Sequence, residues 1–391
     1  MPVNFLQIRS QITSMGSQAA EWQARLQEKC DSARELFGHY QLRNADLQEF
    51  VVQAAAQYPN LRCASPTLEP LNFHHAALPP VVQYVLLAAD GSQINPSRHD
   101  RVEFGVINIG ALRMPIGLSE PARETVKTEL LYHEGLYTRQ GYVGEDMVAL
   151  MRDLRERELL AELTKKEILP AVALTDGPLE PYREPKPNQD FERMLNDYLS
   201  QLRELGQNNA AAAGYVDKPA SDLVIRLLEL TLAENNAFTA IIQEHPLRGV
   251  RDMDLFANLL QPGERSALFK IQSSLSKKFT GALELHFFFI KVGSESDSTL
   301  ARVEIPGWVA RSPELLDLLQ GAIVQQCDQV GGRPYPYVLH RAHEIALVTL
   351  DEKERVEDMI VQEMMGQGIF LTKKSAKQTY KDQVGTRTRY K

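Results

Sequence analysis

Hydrophobic residues along this chain follow two periods. From the amino end, Ile8, Ile12, Met15, Ala19, Trp22, Leu26, Cys30, Ala33 and Phe37 recur at spacings of three and four. That alternation is a heptad-like seam and predicts one long helix over residues 1–40. A single apolar seam needs a helix to pack on. The partner is either residues 44–57, folded back as a hairpin, or a second copy of the chain. Residues 59–80 are rich in proline and polar side chains and read as a connection.

The pattern then changes to short apolar runs. Residues 81–89 form a run without alternation, which predicts a strand buried on both faces. Residues 102–112 and 125–136 predict two more strands. A helix follows over 144–163, then a strand ending at Asp176, a helix over 188–205 and a strand over 210–217. Ser221 is placed to cap a helix that begins at Asp222. Three strands, helix, strand, helix, strand, helix is the element order of an RNase H-like fold, in which the first and fourth strands are parallel neighbours. The predicted fold class is therefore α/β, an RNase H-like mixed sheet with a helical N-terminal extension and α+β C-terminal elaborations. Beyond Gln243, strands are predicted over 283–292 and 302–305 and a helix over 312–329. Residues 338–348 and 352–365 predict a helix, or two with a bend. The expected domains are 1–78, a helical extension; 79–355, the main domain with its core at 80–235; and 356–391, a helix end and tail.

Composition narrows the class. The chain has 391 residues and a net charge of −8, which argues against a generally basic nucleic-acid binder. The charge is uneven, because Lys373, Lys374, Lys377, Lys381, Arg387, Arg389 and Lys391 face only Asp382 in the tail, with Tyr380 and Tyr390 interleaved. Basic plus aromatic suits phosphate contact and base stacking, and equally suits a solubilising tail. No apolar run reaches the roughly 20 residues of a membrane span, and residues 1–18 lack a signal peptide's apolar core. Cys30, Cys63 and Cys327 are distant and odd in number. They suggest neither a disulfide framework nor a zinc cluster, and the expected compartment is the cytoplasm.

Candidate chemistry centres on two matched segments. The runs VVQYVLLAA and ILPAVALT each stop on an aspartate followed by glycine, at Asp90-Gly91 and Asp176-Gly177. The glycine is expected to let the backbone turn past the acid. On adjacent strands the two carboxylates would lie about 5 Å apart, a spacing that suits a hard divalent cation such as Mg²⁺ or Mn²⁺. A third acid is sought on the helix MVALMRDLRERELLAEL. With the buried stripe drawn through Met147, Met151, Leu154 and Ala161, Glu158 lies on the stripe and Glu156 faces solvent, so Glu158 is the expected ligand. Its bland alternative is a salt bridge with Arg155 or Arg157. Further along, Tyr335, His340 and His343 sit in YPYVLHRAHE. His343 is the better placed to touch a phosphate or manage a proton, and His340 reads as a surface residue. Lys218 reads as a solvated lysine. No Walker-type phosphate loop and no Gly-x-Ser-x-Gly elbow is present.

Taken together, Asp90-Gly91-Ser92-Gln93, the acidic helix around Glu158, Asp176-Gly177-Pro178-Leu179, Arg302-Val303-Glu304-Ile305-Pro306 and Tyr335-Pro336 with Ala342-His343 resemble the NurA nucleases in order and spacing. The resemblance runs from about residue 80 to about residue 350. It implies a DNA nuclease dependent on Mn²⁺ or Mg²⁺, with two ions expected. It also implies 5′→3′ exonuclease and some endonuclease action on single- and double-stranded DNA. The expected assembly is a homodimer working with the hexameric ATPase and translocase HerA in DNA end resection. By motif position the family's metal-binding acids fall on Asp90, Glu158 (or Glu156, two residues away) and Asp176, and its tyrosine and histidine on Tyr335 and His343, the histidine joining the metal set. Two rivals stay open: an actin-like nucleotide-binding protein, which needs glycine-rich phosphate loops not found here, and an inert scaffold that uses the heptad helix as its contact surface.

Overall fold

A computed structural model describes residues 4–80, 83–139, 141–181, 189–329 and 334–369. Helices α1 (Phe5–Tyr40) and α2 (Asn44–Gln57) come first, followed by strands β1 (Cys63–Pro66), β2 (His74–Ala76), β3 (Tyr84–Ile94), β4 (Gly105–Ile116) and β5 (Arg123–Leu131). After the small β6 (Tyr137–Thr138) and β7 (Gly141–Tyr142) come α3 (Glu145–Thr164), β8 (Ala171–Asp176), α4 (Gln189–Gln207) and β9 (Ala211–Asp217). Then α5 (Leu223–Glu229), α6 (Phe238–Glu244) and α7 (Asp252–Phe256) precede β10 (Glu264–Ser266), β11 (Phe269–Gln272), β12 (Leu285–Ser294) and β13 (Asp297–Pro306). The described chain closes with α8 (Gly307–Ala310), α9 (Pro313–Asp328), α10 (Tyr337–Ala346) and α11 (Leu350–Gly366). These elements form two compact units, Met1–Pro79 with Tyr215–Pro334, and Pro80–Gly214 with Tyr335–Lys391.

The first unit is built on antiparallel strands in the order β1-β11-β12-β13, with β10 pairing both β12 and β2. Its core is aromatic: Phe256 stacks on Phe289 at 4.7 Å and Phe269 on Phe287 at 5.4 Å. The rear of α1 is anchored there, with Cys30 and Ala33 buried and Phe37 edge-on to Phe256 at 5.8 Å. Residues 5–25 of α1 are exposed throughout, so α2 does not fold back over the apolar seam. Residues 59–80, expected to be only a connection, contain β1 and β2. The helix after Ser221 starts at Leu223, and its cap comes from far along the chain. The buried carboxylate of Asp252 accepts hydrogen bonds from the backbone N–H groups of Leu223, Val224 and Ile225 and from the Ser221 hydroxyl. A distant acid thus satisfies donors that a local serine was expected to satisfy.

The second unit carries the strand order β5-β4-β3-β8, with β9 next to β8. β3, β4 and β5 form an antiparallel meander, and β8 runs parallel to β3 in a register from Val85↔Ala171 to Ala89↔Thr175. This is the RNase H-like arrangement. Helix α3 packs on β3 and β4 and also against α4, while α10 lies on β3 and β4. Buried Val85, Leu86, Leu87, Ala88, Ala89, Val172, Ala173 and Leu174 explain why these strands lack alternation. One expectation changes. Asp90-Gly91 is not a turn, because β3 continues to Ile94 and Asp90 pairs with Gly110 inside the ladder. Gly91 is needed for space: a Cβ there would lie 2.5 Å from Arg152 Cγ. Gly177 does turn, at φ +85°. The segment 338–365 resolves into two helices, α10 and α11.

Gly110 fixes how closely α10 approaches the sheet. A Cβ at this position would sit 2.5 Å from the backbone nitrogen of Ala346 and 2.7 Å from the carbonyl carbon of Ile345. Backbone cannot swing aside as a side chain can. Gly110→Ala is therefore expected to lift α10 and to lower stability by about 1–3 kcal/mol, as overpacking generally does. Chemical denaturation of the variant beside the parent checks this; equal midpoints and slopes would show that α10 does not press on Gly110.

Candidate active site

The register of β3 and β8 places Asp90 and Asp176 one residue beyond the last paired positions, Ala89 and Thr175, on neighbouring parallel strands. Like charges so placed repel. Loss of hydration beside surrounding protein raises the pKa of Asp176, and the Asp90 carboxylate adds to the rise. A hydrogen bond from the Tyr335 hydroxyl and one from the Gly177 N–H oppose it. On the other side, His343 Nδ1 lies 2.7 Å from Asp90 Oδ2. With Nδ1–H donating to Asp90, the opposite ring nitrogen is left for another group, and the His343 side chain is 62% exposed. The structure thus brings Asp90, Asp176, Tyr335 and His343 together on one unit.

The seat of His343 is built by residues that carry no signature of their own. One turn after His343, the Ala346 carbonyl accepts hydrogen bonds from Ser92 Oγ at 2.5 Å and from Asn108 Nδ2 at 2.8 Å. Thr128 Oγ1 donates to Asn108 Oδ1 at 2.6 Å and fixes the amide's orientation. The end of α10 is therefore pinned to β3 and β4, next to Asp90. Sequence reasoning quoted Ser92 only as part of a motif and missed Asn108 altogether. A polar residue inside the apolar run VINIGAL was the available signal, since a buried amide must find partners.

The two candidate glutamates of α3 are buried in the opposite order from expectation. Glu156, expected to face solvent, is 3% exposed, and Glu158 is half-exposed. Both Glu158 oxygens accept from Arg155 Nη1, at 3.0 and 2.9 Å, and Arg155 Nε reaches Glu129 at 2.6 Å. Glu158 lines a separate cleft with Ile107, Ile109, Lys127 and Glu129. This is the salt-bridge alternative, on the far flank of α3. The single-stripe assumption failed because α3 is covered on two sides, by the sheet and by α4. Its buried residues include Val148, Ala149, Leu150, Leu154, Leu159 and Leu160, which span a wide arc rather than one stripe. Apolar residues on several faces of the helix were visible in the sequence and signal two-sided burial.

Glu156 belongs to the cluster that holds Asp90. Arg157 Nη1 donates to Glu156 at 2.6 Å, Arg152 Nε lies 3.5 Å away, and Asp90 adds repulsion. Burial pushes the Glu156 carboxyl up to about 8 against the pull of Arg157. The buried Arg157 also reaches Thr175 Oγ1 at 3.2 Å, the residue before Asp176, and its guanidinium lies over the Tyr198 ring at 5.2 Å. Arg152 donates to Asp153 at 2.8 Å and feels the Asp90 charge. Asp153, Arg152, Arg157 and Asp176 line one pocket of about 240 Å³. Of these, the sequence reading placed Glu156 in solvent, named Arg157 only as a possible partner of Glu158, and did not select Asp153 or Arg152. His340 pairs with Glu344 on the surface, as expected. The basic tail at 373–391 lies outside the described residues.

The donor set can be tested against a divalent cation. Among the described residues, no three His, Cys, Asp or Glu side chains already converge on one ion position. Two carboxylates on adjacent strands do suit an ion of the Mg²⁺ type, which keeps several waters and completes its shell with substrate phosphate oxygens. Repulsion between Asp90 and Asp176 is the electrostatic cost that such an ion relieves. The residues fit the group.

A family model described as the NurA domain matches residues 84–348. The chain belongs to the NurA family. Among solved structures, the NurA nuclease from Sulfolobus solfataricus matches with a TM-score of 0.55 at 10% identity, covering 94% of this chain and 98% of that one. At that identity the likeness concerns the fold. LC9-RNase H1 matches at 11% identity over 37% of this chain and 68% of its own, with a TM-score of 0.23. Drosophila Piwi matches at 13% identity over 67% and 29%, with a TM-score of 0.29. No curated protein matches the chain. No helix among the described residues is long and apolar enough to cross a membrane.

Within this NurA-family chain, Asn108→Leu tests the seat of α10. The change removes one of the two hydrogen bonds to the Ala346 carbonyl, which keeps Ser92 Oγ, and takes the partner of the exposed Thr128 hydroxyl; it is expected to cost about 0.5–1.5 kcal/mol. The fold should survive, and the ring signals of His343 in a two-dimensional NMR spectrum should shift. Unmoved His343 signals would mean that Asn108 does not position that ring.

Proposed function

We propose that this chain hydrolyses DNA phosphodiester bonds with the help of Mg²⁺ or Mn²⁺. The observation that carries the reading is the placement of Asp90 and Asp176 just past the last paired residues of two adjacent parallel strands, with His343 against Asp90. Family membership supports it. A divalent cation bound there would neutralise phosphate charge, lower the pKa of an attacking water and stabilise the leaving oxygen. Asp90 and Asp176 would hold one or two such ions. Tyr335 keeps Asp176 in one orientation through its hydroxyl hydrogen bond. His343, oriented by Asp90 at Nδ1, presents its other nitrogen to the phosphate or to a proton in transit. Glu156 takes the place first assigned to Glu158 as the third acid, because it shares the Asp90 side of α3. Arg157 holds Glu156 and ties α3 to β8 next to Asp176.

The wider reading follows the family: 5′→3′ exonuclease with endonuclease action on single- and double-stranded DNA, in the cytoplasm. The chain would act as a homodimer on a HerA-type hexameric translocase in DNA end resection. The net charge of −8 supports dependence on such a motor, since an acidic chain gains little affinity for DNA by itself.

Asp90→Ala and Asp176→Ala are each expected to lower Mn²⁺-dependent degradation of a labelled linear duplex by on the order of a thousandfold. Folding should be kept, and EDTA should abolish the parent's activity. Normal cleavage by both purified variants would refute the site. Two glutamates of one helix make a sharper contrast. Glu156→Gln should cost about 10–100-fold, the usual range for a supporting carboxylate, and Glu158→Gln about twofold or less. The reverse order would return the third acid to Glu158.

A further inference from the structure

Two apolar surfaces are left uncovered in the described structure. Of the 22 large hydrophobic side chains that are exposed, six lie on the first half of α1, and five line a single groove in the other unit, so half of the exposed set sits in two places. On α1 they are Phe5, Leu6, Ile8, Ile12, Met15 and Trp22, each between 40% and 82% exposed. The groove has a volume of about 1360 Å³ and is lined by Phe104, Leu130, Tyr132, Tyr137, Met359 and Ile369 among others. Neither surface is used by the proposed catalytic site.

We propose that the first half of α1 seats in this groove of a second copy of the chain, and that the reverse contact closes a symmetric pair. The inference rests on the homodimer proposed above and says what holds it together. Size agrees. A helix with side chains is about 10–12 Å across and rises 1.5 Å per residue, so the groove accommodates about ten residues, or three turns. Phe5, Ile8, Ile12 and Met15 cover that length on one face, at the spacing by which amphipathic helices anchor in apolar grooves. Charge agrees as well. Residues 5–20 carry one ionisable side chain, Arg9, while Glu103, Glu134 and Glu363 outnumber Arg139 and the neighbouring His133 in the groove lining. The rear of α1 is held to its own unit by Cys30, Ala33 and Phe37, so a docked front half would tie two copies together. A reciprocal exchange satisfies both apolar surfaces at once and leaves neither to drive open-ended association.

Cross-linking of the full chain tests this. The three native cysteines are buried, so an added surface cysteine is the reactive one. Ile12→Cys and Met359→Cys chains are co-expressed and treated with a bifunctional maleimide. The expected result is a product of dimer mass from the pair and none from either variant alone. A chain carrying both substitutions should cross-link between copies. A link within one chain would overturn the proposal, and so would Ile12→Cys linking to itself or a dimer that gives no mixed product. Light scattering provides the second measurement. Ile8→Glu with Ile12→Glu should weaken the dimer by at least about tenfold, since buried apolar anchors carry most interface energy. A parent chain that is monomeric at every concentration would remove the dimer reading itself, whereas a stable dimer without the mixed cross-link removes only this inference. Neither outcome bears on cleavage of DNA.

Discussion

Parallel pairing of β3 with β8 is the constraint on which the proposed site depends. Two strands distant along the chain run in the same direction and carry Asp90, inside β3, and Asp176, at the end of β8, at the same level. The buried runs before them leave the register no freedom, because a shift of one residue would turn an acid into the core. The sheet thus forces two carboxylates together that would separate if free. Burial, with the Asp90 charge added to it, raises the pKa of Asp176 although Tyr335 and Gly177 donate to it, and under the proposed function this crowding of charge is what a cation would relieve.

The rest of the second unit supports this edge. α10 comes close because Gly110 has no side chain, and its end is fastened by Ser92 and Asn108. His343 is thereby set against Asp90 by backbone geometry rather than by its own flexible reach. α3 contributes from the other side. Arg157 binds both Glu156 and Thr175, so the helix and β8 are held by one buried guanidinium, and Arg152 lies across Gly91. A site assembled from several elements, each fixed by packing, needs little rearrangement when substrate arrives.

Much of this was legible in the sequence, for identifiable reasons. The two apolar runs ending on aspartate marked β3 and β8, because parallel strands covered on both faces cannot alternate. The positions of α3, α4 and α9 followed from ordinary periodicity, whereas the short helices α6, α7 and α8 were not predicted. Asp90, Asp176, Tyr335 and His343 were all named in advance, and the fold brings them together. Glu158 was preferred over Glu156 because the helix was read as covered on one face, whereas α4 covers a second. Asn108 and Asp252 act across long separations, on the end of α10 and the start of α5. No local pattern announces a cap supplied from elsewhere. The turn expected at Gly91 was a misreading of Asp-Gly, which serves as a turn at Gly177 and as clearance for Arg152 at Gly91.

The family assignment rests on residues 84–348, and α1 precedes them. The proposed pairing would account for the exposed front half of α1 and the apolar groove, and the proposed chemistry on DNA would account for the acids of β3 and β8. The second of these is the central claim, and direct ion binding measures it most simply. Mn²⁺ added to the protein without DNA, followed by the loss of the free-ion EPR signal, should show binding by the parent chain. That binding should weaken strongly in an Asp90→Asn, Asp176→Asn double variant that keeps its fold. Undiminished Mn²⁺ uptake by the double variant would contradict the account, because the ion would then be held somewhere other than between Asp90 and Asp176.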